Sequence, residues 1–108
     1  TRAACRDALD GLLADTDVII APCMPMLPPD LATMDAVSGA ASGRVDAITF
    51  TAPFDYSGHP TISLPAGLSE NGLPRSFQLV GRHLGEPTLL RAGAAFEAAR
   101  GPLPHPLP

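Results

Sequence analysis

The 108-residue sequence contains no lysine; all seven of its basic residues are arginine. Charge of either sign is scarce. Charged residues make up 17% of the chain, against about a quarter in ordinary globular domains, so part of the surface is expected to be covered. The net charge of −4 and the lack of any arginine cluster exclude the basic footprint of nucleic-acid or anionic-membrane partners. No apolar run approaches the roughly 18 to 20 residues of a membrane helix, and "TRAACRDALDG" carries no signal-peptide pattern. A cytoplasmic location is the expectation.

Cysteine is sparse as well. Cys5 and Cys23 form no CxxC pair and have no histidine at ligand spacing, so two buried or half-buried thiols are expected in preference to a disulfide. His59, His83 and His105 are each isolated in sequence. A surface or hydrogen-bonding role is expected of the first two, and a solvated one of His105. Asp46, Asp55, Glu70 and Glu86 form no local pair for acid–base work. "SGAASG" lacks the GxSxG spacing of a nucleophile elbow, and no strand leads into it. No glycine-rich loop precedes a helix to cradle phosphate. Cys23 lies just past a strand end, where sheet proteins tend to keep ligand sites, but its loop offers no histidine to activate a thiolate. These patterns assign no catalytic residue, no metal ligand and no cofactor.

What is present is punctuation. The thirteen prolines, more than twice the usual share of about 5%, are scattered between apolar segments. Cys5, Ala8, Leu9, Leu12 and Leu13 recur at helical spacing, which predicts an amphipathic helix over 2–14. Thr1 is its only candidate cap, which suggests an N-terminus that is a cut. "VIIA" before Pro22 reads as a strand buried on both faces. Residues 22–44 read as a long loop with one helical turn near "LATMDAV". "TISL" and "SFQLV" are two further strands, joined through Asn71-Gly72 in a hairpin of type I′ character. Glu86, as a cap before Pro87, opens a helix over about 87–99 with an inward stripe of Leu89, Leu90, Gly93 and Phe96, stopped by Gly101-Pro102. The tail "GPLPHPLP" reads as an extended end.

The stretch "FTAPFDYSGHPTISLPAG", residues 50–67, followed by "GLPRSFQLVGRHLGEPTLLRAGAAFEAA", resembles the C-terminal portion of the amidase signature hydrolases. Thr51, Pro53, Gly58, Pro60, Ser63, Pro65 and Gly67 match that pattern, as do Gly72-Leu73-Pro74, Gln78-Leu79-Val80-Gly81, Glu86, Leu89-Leu90-Arg91 and Phe96-Glu97. "TDVIIAPCMP" looks like the same family's upstream strand and loop, so the resemblance covers about residues 10–100. It implies a fragment of an α/β/α sandwich with a mixed sheet, in the order helix-strand-loop-strand-strand-helix. Residues 1–100 would be the C-terminal part of an amidase domain and 101–108 a Pro-rich tail. The family hydrolyses amides with a serine nucleophile, a bridging serine in a cis peptide and a lysine base, and none of the three maps here. Asp55 stands for a common Asn, Cys23 for a common Thr, and Arg75-Ser76 for the more usual Val/Ile-Gly. Ile48 stands where glutamine-using amidotransferases tend to carry an acidic residue, which favours a general amidase.

The resemblance places Cys23, Met24, Thr51 and Phe54 along the acyl side of a substrate cleft in a complete protein. The expected role is a non-catalytic segment that supplies sheet and cleft wall to an amidohydrolase. Its partners are then the remainder of the domain, or a second copy through exposed apolar faces. The alternative is a stand-alone non-catalytic binding module that pairs with another chain.

Overall fold

The structure, a computed structural model, describes residues 1–39 and 47–104. Ser42, Asp46 and His105 lie outside them. Among these residues, four helices and three strands follow in the order α1 (Arg2–Leu12), β1 (Val18–Pro22), α2 (Leu31–Gly39), α3 (Ala52–Ser57), β2 (Thr61–Leu68), β3 (Pro74–Gly81) and α4 (Glu86–Arg100). The α/β class is as expected; α2 grows from the helical turn expected near "LATMDAV", while α3 falls in a segment the sequence offers as irregular. α2 forms because Asp30 accepts the Thr33 amide at 2.7 Å, capping a stretch otherwise rich in helix formers. α3 fits between two prolines: Pro53 occupies its first turn, where no amide donor is required, and Gly58 ends it in the left-handed conformation at φ 81°.

The sheet has the order β1-β3-β2, and both of its pairings are antiparallel. β1 and β2 are edges, which is why Pro22 and Pro65 are tolerated within them. A bulge between Pro65 and Gly67 adds a further bend. The β2–β3 turn is not type I′, because Asn71 keeps negative φ and only Gly72 is left-handed, at 75°. Gly72 N–H donates to Ser69 O, and Ser69 N–H to Leu73 O. That is a three-residue loop with glycine at the bulge position.

Ile20, Leu79 and Ile62 lie opposite one another and share one face; Ala21, Gln78 and Ser63 share the other. α4 packs on the first face, over β2 and β3. Leu64, Leu79 and Leu89 form the core, joined by Val18, Ile62, Phe77, Ala92 and Phe96. Two glycines permit the approach: a Cβ at Gly81 would lie 3.1 Å from Leu89, and one at Gly93 3.2 Å from Ile62. Leu90 points away from this core, against the expected stripe, and Glu86 lies in the first turn of α4 while Gly85 is the cap residue. α4 does not reach across β1, so Ile20 is 69% exposed. The strand expected to be buried on both faces therefore has an open one.

α1 and α3 pack on each other, and Thr1 does cap α1 through the Ala4 amide. The α1 C-terminus is tied to the sheet by Arg82, whose guanidinium donates to the carbonyls of Leu13, Ala14 and Thr16 at 2.9, 3.3 and 3.0 Å. Leu13 O is an orphan acceptor of the helix end, and a cation there also suits the helix dipole. No described helix is long and apolar enough to cross a membrane.

Candidate functional site

Gln78 sits in the middle of β3 and is almost wholly buried. A buried amide in an otherwise apolar strand requires partners. Its Nε2 donates to Pro22 O at 2.8 Å and to Phe50 O at 2.7 Å. One nitrogen thus holds the end of β1 and the entrance to α3, and the two carbonyls it holds immediately precede Cys23 and Thr51. Cys23 is buried, with Sγ donating to Ser63 Oγ at 3.6 Å. Thr51 is half-buried, its hydroxyl donating to Ile48 O. Phe54 is buried within α3. Met24 lies elsewhere, on an open groove of about 490 Å³ lined also by Met26, Leu27, Met34 and Arg75. Of the four residues the resemblance singles out, Cys23 and Thr51 are brought to one place and Met24 to another. Gln78, which joins the first two, stands in the sequence only as part of a motif; its signal is a polar residue at a core position of "SFQLV".

A second group of polar residues assembles at the other end of the sheet. His59 precedes β2, His83 follows β3, and Asp10 comes from α1. The His59 side chain is fully buried, with Nε2 3.1 Å from Asp10 Oδ1 and Nδ1 2.8 Å from Ser57 Oγ. The ring of His83 lies 4.1 Å from that of His59, centroid to centroid. His59 is buried in the hydrogen-bonding role expected of it and His83 is half-buried, and the local spacings give no hint of the cluster because Asp10 and His59 are 49 positions apart. The order Ser57–His59–Asp10 has the connectivity of a nucleophile, base and orienter. It cannot act as one, because Ser57 is 0% exposed and its hydroxyl donates to Phe54 O. Cys5 and Cys23 are free thiols, half-buried and buried as expected.

Comparison with known proteins places these features in a family. The profile of the amidase family matches residues 1–90. A Rhodococcus erythropolis protein known only as an uncharacterized protein in the nthA 5′ region is 40% identical over 102 residues, 94% of this chain and 51% of that protein. The putative amidase AmiD of Mycobacterium tuberculosis is 37% identical, covering 87% of this chain and 20% of the relative. A glutamyl-tRNA(Gln) amidotransferase subunit from Exiguobacterium sibiricum is 40% identical over 85% of this chain and 18% of the relative. Among solved structures, 6-aminohexanoate cyclic dimer hydrolase in complex with its substrate superposes with a TM-score of 0.78 at 30% identity, over 91% of this chain and 22% of that one. The chain thus spans about half of one relative and about a fifth of the others.

Proposed function

Because the chain belongs to the amidase family, we propose that it is the C-terminal segment of an amidohydrolase that cleaves a carboxylic amide C–N bond, a cytoplasmic enzyme whose catalytic residues lie outside these 108 residues. The observation that carries this reading is the combination of a family match over residues 1–90 with the complete absence of lysine. A family member that works through a lysine base has to find that base in another segment. This segment supplies three strands, the helix α4 that packs over β2 and β3, and the wall that Gln78 assembles from the Cys23 and Thr51 loops. Cys23, Thr51 and Phe54 line the acyl side of the cleft, and Met24 lies at its outer groove. The partner of the segment is the rest of the amidase domain, which covers the open face of β1.

The test is an assay of the purified chain against small carboxylic amides, with mass spectrometry of a serine-directed acylating probe. No turnover and no adduct are expected, and the coding sequence before Thr1 is expected to carry a lysine and two serines in a Gly/Ser-rich context. An adduct formed on any serine of this chain at a catalytic pace would sink the reading. A second reading is favoured by the Rhodococcus relative, of which the chain spans half and which is therefore much shorter than the amidases. In that reading the segment belongs to a compact non-catalytic module, and the upstream coding sequence then lacks the lysine.

A further inference from the structure

We propose that Asp10, His59 and His83 form a binding site for one divalent transition cation of the zinc class. Each offers one donor atom, and the three donor atoms lie within 4.8 Å of one another. The 3.1 Å between His59 Nε2 and Asp10 Oδ1 is close to the ~3.3 Å that separates two ligands of a tetrahedral zinc with bonds of about 2.0 Å.

The hydrogen bonds of the cluster point the same way. Ser57 O–H donates to Phe54 O, so Ser57 Oγ accepts from His59 Nδ1–H. That leaves Nε2 as a lone pair facing a carboxylate oxygen, two acceptors with something positive required between them. The Ser57 contact fixes the tautomer in the manner of an outer-shell partner of a metal-bound histidine. Among the described residues His83 Nε2 is buried with no hydrogen-bond partner, and a buried orphan nitrogen on a ring of this cluster calls for a partner. Asp10 is half-exposed, 49% at its side chain, which gives the ion a way in and leaves a fourth position for water.

The surrounding charge selects the kind of ion. The guanidinium ends of Arg6 and Arg2 lie 3.5 and 3.6 Å from where a Gly58 side chain would begin, and His83 Cε1 is 3.7 Å from the same point. Two cations and a single carboxylate make a poor seat for calcium or magnesium, which bind through charge and oxygen ligands. A zinc-class ion is held mainly by directed nitrogen donors and tolerates that field better.

The test is calorimetric titration of the full 108-residue chain with Zn²⁺, Co²⁺, Mg²⁺ and Ca²⁺, with the visible spectrum of the Co²⁺ form and a thermal melt of each sample. One Zn²⁺ per chain, a tetrahedral Co²⁺ spectrum and a zinc-dependent rise in Tm are expected. Mg²⁺ and Ca²⁺ should produce no such change. His83→Gln removes a nitrogen that has no hydrogen bond to lose, so the fold is retained and affinity falls by about tenfold or more. Asp10→Asn should weaken binding similarly. An absence of saturable zinc binding would mean that a proton alone fills the gap between His59 and Asp10, and the proposal would fall. It would also fall if His83→Gln bound zinc as tightly as the parent, or if Mg²⁺ raised Tm as much as Zn²⁺.

Discussion

Gln78 and Pro22 are joined side chain to backbone, Nε2 to carbonyl oxygen at 2.8 Å, and the same nitrogen reaches Phe50 O at 2.7 Å. Both carbonyls depend on one buried amide that tertiary structure placed there, so its loss is felt in two loops at once. Gln78→Met keeps much of the volume and removes both donors. A destabilisation of about 2–4 kcal/mol is expected, since each carbonyl left unsatisfied costs roughly 1–3 kcal/mol and water recovers part of it. Chemical denaturation measures this, with the amide signals of Cys23 and Thr51 as local reporters. A stability change under about 0.5 kcal/mol, the range of ordinary surface substitutions, would show that the two loops do not depend on Gln78.

Leu89 packs directly over Gly81, where a Cβ would lie 3.1 Å from the leucine Cγ. Leu89 is 2% exposed and cannot retreat. Gly81→Ala should therefore destabilise by about 1–3 kcal/mol through overpacking, and Leu89→Ala by about 2–5 kcal/mol through the cavity it leaves. Combined, the two should cost less than their sum, because the new methyl enters the space the leucine vacated. Strict additivity in a double-mutant cycle would contradict the contact.

The parts of this fold that are legible in the sequence are those with a strong local cause. The spacing of Cys5, Leu9 and Leu12 reveals α1, Pro87 and Gly101 bound α4, and Asn71-Gly72 locates the hairpin. The turn type is not legible, because the bulge geometry needs positive φ at Gly72 alone and the dipeptide suits either geometry. α2 is legible only as the helical turn expected near "LATMDAV", and α3 is hidden by the prolines around it, although Pro53 in a first turn is compatible with helix. Ile20 departs from expectation because β-branched residues show that a strand suits burial, not that this chain contains the covering layer. The Asp10–His59–His83 cluster has no local signal, since its members meet only when α1, α3 and the sheet have closed around them. The candidate wall is legible only through family resemblance, and its organiser, Gln78, through neither spacing nor charge.

Asp30 makes the start of α2 sensitive to acid. Its carboxyl is held below its ordinary value of 3.8 by the hydrogen bond from the Thr33 side chain and by that from the Thr33 backbone. The folded form thus favours the ionised acid. The contribution is complete above the unfolded value and is lost as pH falls through the lower, folded one. The Thr33 amide shift should titrate with a midpoint below 3.8 and α2 should fray in that window, while α1 and α4 keep their signals. Asp30→Asn preserves an acceptor for the cap without a titrating group, so the transition should vanish while the helix remains. A midpoint at or above the ordinary value would mean the carboxylate does not cap α2.

Ile20 and Leu12 leave large apolar side chains in water, 69% and 64% exposed, and Ile48 and Tyr56 add a patch beside α3 at 52% and 53%. Together with two strands that each have an unpaired edge among the described residues, this surface fits the proposed covering by another segment. The isolated chain is therefore expected to bind a hydrophobic dye and to self-associate at micromolar concentration, followed by light scattering. Ile20→Thr and Leu12→Gln remove apolar surface that α4 does not cover. They should lower dye binding and association while changing monomer stability by no more than about 0.5 kcal/mol, as expected for exposed positions. Under the proposed function the rest of an amidase domain would cover both residues, so the same two substitutions placed in a full-length amidase parent should instead destabilise it. A dye-silent monomer with a sharp melt, or a parent indifferent to Ile20→Thr, would show that these faces are surface by design and that the chain requires no covering partner.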